Sequence, residues 1–134
     1  MKKCITILMI VFCIMGLSAC GGNVKNVQIT EYSSNIYSNS EIEEAIEVTL
    51  DYFKKEFDGC TLTEISYYGD DKLLDFQDFA ERNNATEVIV FVSTFDVDES
   101  GGDGSLNPND TYKNWKWILV RSEGGKWKHV DHGY

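Results

Sequence analysis

SEIEEAIEVTLDYFKKEF, residues 40–57, is the segment that commits this chain to a layered fold. Ser40 with Glu43 three residues later fits a capping box, so the sequence predicts a helix that begins at Ser40. Asp58-Gly59 ends it. An amphipathic helix has to bury its apolar stripe against a second layer. The stripe repeats with helical spacing and comprises Ile42, Ala45, Ile46, Thr49, Leu50, Phe53 and Phe57.

Strands and a shorter helix are predicted after this segment. Apolar residues at both alternating positions of 87–97 are typical of a central strand that is covered on both faces. A glycine-rich turn at 123–126 indicates a tight hairpin. The predicted elements are a strand at 60–68, a helix at 72–83 and strands at 87–97, 112–121 and 127–132.

This order of elements predicts an α+β fold in two layers. Strands that are joined by short connections pair antiparallel, and the first helix lies on one face of the resulting sheet of about four strands. The folded domain is expected at 40–134. Residues 20–39 are rich in Gly, Asn, Ser and Thr, and this composition predicts a flexible tether.

The first nineteen residues have the pattern of a signal peptide that is removed on export. Lys2 and Lys3 precede an apolar run, and Leu17-Ser18-Ala19-Cys20 matches a lipobox. The pattern predicts cleavage before Cys20 and lipidation of its thiol, which anchors the protein to the outer face of the cell membrane. The alternatives are an uncleaved N-terminal anchor and a secretory signal in which Cys20 is incidental.

The mature chain is strongly acidic. The full sequence has 12 Lys and Arg against 22 Asp and Glu. Two of the lysines lie in residues 1–19, so the mature chain of 115 residues carries a net charge of −12. A protein of this charge is not expected to bind nucleic acid, because phosphate neutralisation is the usual source of that affinity. No cofactor is indicated either.

One cysteine is left in the mature chain apart from the lipidation site. Cys4 and Cys13 belong to the signal peptide, which leaves Cys60 without a partner for a disulfide. Its flanking residues indicate the start of a strand. We therefore expect a buried, unreactive thiol.

Residues 96–104 resemble the first half of a calcium-binding loop. The candidate oxygen ligands are Asp96, Asp98, Ser100 and Asp103. The second half of the motif is absent, because Asn107 stands where a bidentate glutamate is required. The favoured interpretation is a solvated acidic loop over 98–110, with weak calcium binding as the alternative.

His129 and Asp131 are the candidate catalytic pair. Side chains alternate along a strand, so the sequence predicts these two residues on one face and His132 on the other. Such a pair could orient an imidazole as a general base in a cavity of the sheet. A polar pair without catalytic function is the competing interpretation. With only two histidines and one thiol, zinc binding by this chain is not expected.

Aromatic residues cluster near the C-terminus and are candidates for ligand binding. Trp115 and Trp117 share one face of their strand, Trp127 begins the next strand, and Tyr134 lies just after it. Tryptophan and tyrosine are enriched in binding sites. The alternative is that these rings form the core beneath the first helix.

The C-terminal residues resemble a group of small Gram-positive lipoproteins of unknown function. The resemblance rests on Asn114–Arg121, Gly124–Trp127 and Val130–Tyr134 and extends over about residues 40–134. It implies a cystatin-like or NTF2-like fold, in which a long helix packs on a curved antiparallel sheet. It implies no activity, because such folds host many functions.

Two functions are consistent with these features. The first is a membrane-anchored, non-catalytic domain that binds a protein, peptide, glycan or other small ligand. The second is a small hydrolase or isomerase that uses His129 and Asp131.

Overall fold

The computed structural model describes residues 21–134, which form one five-stranded sheet with helices packed on it. The fold class is α+β. In this part of the chain, no helix is both long enough and apolar enough to span a membrane. The elements are β1 (Gln28–Ile29), α1 (Asn39–Glu56), β2 (Cys60–Tyr67), the 3₁₀ helix η1 (Asp70–Phe76), α2 (Gln77–Arg82), β3 (Glu87–Val97), β4 (Thr111–Arg121) and β5 (Lys128–Gly133).

The sheet is mixed, with the strand order β1-β2-β3-β4-β5. Strands β2 to β5 pair antiparallel, which confirms the predicted antiparallel pairing. The sequence did not predict β1, which pairs parallel to β2 with Ile29 opposite Ile65. The segment predicted as one helix at 72–83 consists of η1 followed by α2.

Helix α1 has its N-cap two residues earlier than predicted. Its N-cap is Ser38, whose hydroxyl accepts a hydrogen bond from the backbone N–H of Glu41 at 3.2 Å. The Glu41 carboxylate in turn accepts from the backbone N–H of Ser38 at 2.9 Å. The predicted box of Ser40 and Glu43 is therefore wrong. The observed and predicted boxes have the same three-residue spacing between serine and glutamate. They differ in that Glu41 also forms an ion pair with the buried Arg121.

The core lies between α1 and the sheet. Phe53 of α1 is fully buried and packs edge-on against Phe95 and Trp117, with ring centroids 5.8 and 6.0 Å away. Val88 and Val90 alternate with the residues of β3 that face α1, and they are buried too. The elements that lie against β3 on this side are η1 and α2. The first half of β3 is thus covered on both faces, as its sequence predicts.

Residues 21–38 lie along the domain, which differs from the flexible tether expected at 20–39. The backbone N–H of Gly22 donates to the carbonyl of Lys54 at 3.0 Å. Asn23 exchanges backbone hydrogen bonds of 2.9 Å with Cys60 and Leu62. A side chain at Gly22 would meet the Phe53 carbonyl at 2.3 Å, so this close approach requires glycine.

Arg121 joins three parts of the fold at the N-terminal end of α1. Its side chain is 8% exposed and forms ion pairs with Glu41 of α1 and Glu87 of β3. Its guanidinium also lies over the rings of Trp127 and Tyr37, at 4.3 and 5.6 Å from their centroids. A planar guanidinium can bind carboxylates and stack on aromatic faces at the same time, which a lysine ammonium cannot.

Replacement of Arg121 by alanine should destabilise the protein strongly. The variant leaves two partly buried carboxylates without their cation, which costs about 3–5 kcal/mol in the free energy of unfolding. Urea denaturation measures the difference. The matched control is Arg82→Ala, which breaks the exposed ion pair with Asp78 and should cost at most about 1 kcal/mol. Equal losses in the two variants would contradict this role of Arg121.

Candidate functional site

A cleft of about 220 Å³ opens at the C-terminal end of α1. Its walls come from the last turn of α1, the loop at 98–110 and the ends of β4 and β5. Its aromatic lining consists of Tyr52, Phe57, Trp115 and His132. Three carboxylates, those of Glu56, Asp58 and Asp103, also line it, and these residues are exposed to solvent. The cleft therefore combines an aromatic interior with an acidic rim.

A bulge in β4 creates the aromatic wall. Ser93 of β3 lies opposite Trp115, and Phe95 lies opposite Tyr112, so β4 contains one extra residue between these pairs. Asn114 takes up the bulge with a φ of 60°, a conformation that asparagine adopts more readily than most residues. As a result, Tyr112 packs on Trp115 at 5.6 Å and not on the opposite face of the sheet.

The candidate aromatic residues divide between the core and the cleft. Trp117 and Trp127 are buried, and their indole N–H groups donate to the Ser93 hydroxyl at 2.7 Å and the Glu41 carbonyl at 3.1 Å. Neither ring lines the cleft. Trp115 does line it. Tyr134 is 76% exposed and packs on Trp115 with a centroid distance of 5.4 Å.

Trp115 has a buried indole N–H without a hydrogen-bond partner among the described residues. It is the one buried side-chain nitrogen or oxygen of residues 21–134 in this state. Buried donors are almost always paired, because an unpaired one costs about 1–3 kcal/mol in desolvation. The two other tryptophans follow that rule. Of the three tryptophans, Trp115 is also the one that lines the cleft, so a ligand there would lie next to the ring that carries this donor.

A second bulge, in β5, brings the two histidines together. His129 lies opposite Leu119 and Asp131 opposite Ile118, which leaves Val130 as an extra residue. Nδ1 of His132 is 3.3 Å from Nε2 of His129, so the two imidazoles share one face. The prediction that His129 and Asp131 share a face, with His132 on the other, is therefore wrong.

Asp131 takes part in a different contact. Its carboxylate accepts a hydrogen bond from the backbone N–H of His132 at 2.8 Å, and no side-chain hydrogen bond joins it to His129 in the described part of the chain. The candidate base at the cleft is therefore the His129–His132 pair, of which His132 lines the cleft.

Both imidazoles are held neutral by their surroundings. Burial, together with the neighbouring His132, lowers the pKa of His129 to about 4. Burial also lowers the pKa of His132. The ring of Tyr52 stacks on His129 at 3.9 Å. At neutral pH one ring donates its N–H to the other across this contact.

The histidine pair predicts a loss of stability in acid. His129 has an ordinary pKa of 6.5 when unfolded and about 4 when folded, so the unfolded chain binds the proton first. The contribution of His129 to the free energy of unfolding should be fully present above about pH 6.5. Below that pH the free energy of unfolding should fall toward pH 4, by at most about 1.4 kcal/mol per pH unit from this group.

Urea denaturation across this pH range measures that slope. His129→Gln should flatten it, and Lys128→Gln, an exposed neighbouring change, should not. An unchanged slope in His129→Gln would contradict the assignment.

Sequence reasoning missed two cleft residues on α1. Tyr52 and Glu56 lie beside the buried stripe, and both line the cleft. The available signal was Tyr52 itself, a large aromatic ring on a helix face that otherwise carries charges. Its place in the cleft depends on the position of β5, which the helical period does not reveal.

The candidate calcium ligands are engaged in separate contacts. Asp98 accepts from the backbone N–H and hydroxyl of Ser100, and Asp103 accepts from the same groups of Ser105. Asp96 lies in β3 and accepts from the Thr111 hydroxyl at 2.7 Å. Within residues 21–134, no three His, Cys, Asp or Glu side chains are grouped so that they could hold a metal ion.

Cys60 is a buried thiol at the edge of the cleft. Burial raises its pKa to about 11, and the carboxylates of Asp98, Asp103 and Asp58 act in the same direction. The sulfur therefore remains protonated at neutral pH and is a poor nucleophile.

Comparison of the chain with models of protein families, with curated proteins and with solved structures finds no match. The features of this chain that bear on function are therefore the geometry of the cleft and the sequence of the N-terminus.

Proposed function

We propose that this protein is an extracytoplasmic lipoprotein that binds a small ligand in the cleft at the C-terminal end of α1. The observation that carries the proposal is the buried, unpaired indole N–H of Trp115 in an aromatic cleft. A concave aromatic site with a few polar groups is the common form of a small-molecule site. The volume of about 220 Å³ is below that of sites for drug-sized ligands, so the ligand is small.

The N-terminus supports the membrane location. Residues 1–20 lie outside the described part of the chain, so lipidation of Cys20 rests on the lipobox sequence. Gly21 and Gly22, which follow that cysteine, lie against the C-terminal end of α1. The same end of α1 forms the cleft. An anchor at Cys20 would therefore hold the cleft close to the membrane surface.

The resemblance to small Gram-positive lipoproteins with a cystatin-like or NTF2-like domain belongs to the same proposal. A helix of 18 residues packed on an antiparallel meander is consistent with such a domain. Such folds host many unrelated functions, so the fold alone does not name the ligand.

Lipidation is tested with a labelled fatty acid in the producing cell. The native protein should incorporate the label and partition with membranes, and Cys20→Ala should lose both properties, because the thiol is the attachment point. Cys60→Ala is the matched control and should keep the label, since its thiol is buried. Equal labelling of Cys20→Ala and the native protein would contradict lipidation at this residue.

Ligand binding is tested by NMR on the three tryptophan indole N–H signals of the detergent-solubilised protein. A panel of single sugars and amino acids, with their charged and neutral derivatives, supplies the probes. A ligand in the cleft should shift the Trp115 signal and leave the Trp117 and Trp127 signals in place, because those two donors already have partners. No shift of Trp115 with any probe at millimolar concentration would contradict the proposed function.

A hydrolase or isomerase is the second candidate, and the position of His132 favours it. This imidazole lines the cleft and is kept neutral beside His129, as a general base requires. The catalytic pair proposed here is His132 with His129, since Asp131 makes no side-chain hydrogen bond to His129 in the described chain. His132→Gln separates the candidates, because it should abolish turnover of a ligand that the cleft still binds.

A further inference from the structure

We propose that the ligand of this cleft carries an organic ammonium group with an oxygen acceptor close to it. The inference rests on the proposed function and specifies its ligand class. Single amino sugars and single amino acids with a free amine are the two sources of this chemistry that fit a site of about 220 Å³.

The rim of the cleft has negative charge that the described chain does not neutralise. Among residues 21–134, the salt bridges involve neither Glu56 nor Asp58 nor Asp103. Asp103 accepts two hydrogen bonds from Ser105, both on Oδ1, and within the described chain Oδ2 accepts none. Three carboxylates around one small opening produce a local negative potential, which attracts a cation and disfavours an anion.

The interior of the cleft suits an organic cation better than a bare metal ion. Trp115, Tyr52 and Phe57 present aromatic rings to it. Aromatic faces attract ammonium groups within about 6 Å of the ring centroid, and tryptophan is the strongest of the three types. A metal ion needs several convergent oxygen or nitrogen ligands, and the described residues contain no such group.

The indole N–H of Trp115 adds a second requirement. This buried donor has no partner in residues 21–134, so a well-matched ligand supplies an acceptor oxygen beside its cation. The neutral histidine pair is consistent with a cation, because a protonated imidazole at His132 would repel it. Together these contacts select a hydroxyl or carbonyl oxygen near an amine.

The experiment titrates two matched pairs of probes into the detergent-solubilised, full-length protein. Glucosamine is compared with N-acetylglucosamine, and lysine amide with its doubly N-acetylated form, so that each pair differs in its charge. The readout is the Trp115 indole N–H signal, with the Trp117 and Trp127 signals as internal references. The expected result is at least about tenfold tighter binding of one charged probe than of its neutral partner, and weaker binding at high salt.

Variants assign the charge effect to the rim. Asp103→Asn and Glu56→Gln remove one charge each and should weaken the charged probe about threefold to tenfold without changing the neutral one. Asp75→Asn is the matched control, since it removes an exposed charge outside the cleft and should leave the affinity unchanged.

The outcomes distinguish this inference from the proposed function. Equal binding of the charged and neutral members in every pair that shifts the Trp115 signal would overturn the ammonium proposal and leave ligand binding supported. Shifts that Asp75→Asn reduces as much as Asp103→Asn would also overturn it, since the charge effect would not come from the cleft. If no probe moves the Trp115 signal, both the ammonium proposal and the proposed function fail. The two pairs identify the amino sugar or the amino acid as the source.

Discussion

The packing of Phe53 and Phe57 against the sheet is the contact on which the other features of this protein depend. The ring of Phe57 lies 5.1 Å from that of Trp117 and 5.5 Å from that of Phe95, and Phe53 stacks on Phe57 at 5.0 Å. These buried rings fix α1 on the sheet in a chain that has a single cysteine in its described part. Phe57 also lines the cleft, so the same contact that secures the helix shapes the candidate site.

The two ends of α1 differ in how their charges are satisfied. At the N-terminal end, Arg121 binds Glu41 and Glu87 between two aromatic rings, and the Trp127 N–H reaches a backbone carbonyl. At the C-terminal end, the carboxylates of the rim have no cation within the described chain, and the Trp115 N–H has no acceptor. Both ends use arrays of aromatic and acidic residues. Only the C-terminal end of α1 leaves such groups without partners in the described chain, which is why we propose a ligand site there.

The docking of the N-terminal segment connects the cleft to the proposed anchor. Gly22 lies on the end of α1 that bears the cleft, where a side chain would collide with the Phe53 carbonyl. A domain with a net charge of −12 gains nothing from contact with anionic lipids, so attachment to a membrane would depend on the proposed lipid. In that arrangement the cleft would meet ligands at or near the membrane surface.

The sequence by itself determined the elements that depend on local periodicity. The stripe of α1, the doubly apolar β3 and the turn after β4 have patterns set by the pitch of a helix or strand, and all three lie close to their predicted positions. The tertiary structure alone decided the site. Bulges at Asn114 and Val130 reverse the alternation of side chains, which moves Tyr112 next to Trp115 and His132 next to His129. An extra residue in one strand is defined only by the register of its partner, and neither strand carries that register in its own sequence. The position of the N-cap also depends on the tertiary structure. Glu41, the partner of Ser38, binds Arg121, which lies on a strand eighty residues further along the chain.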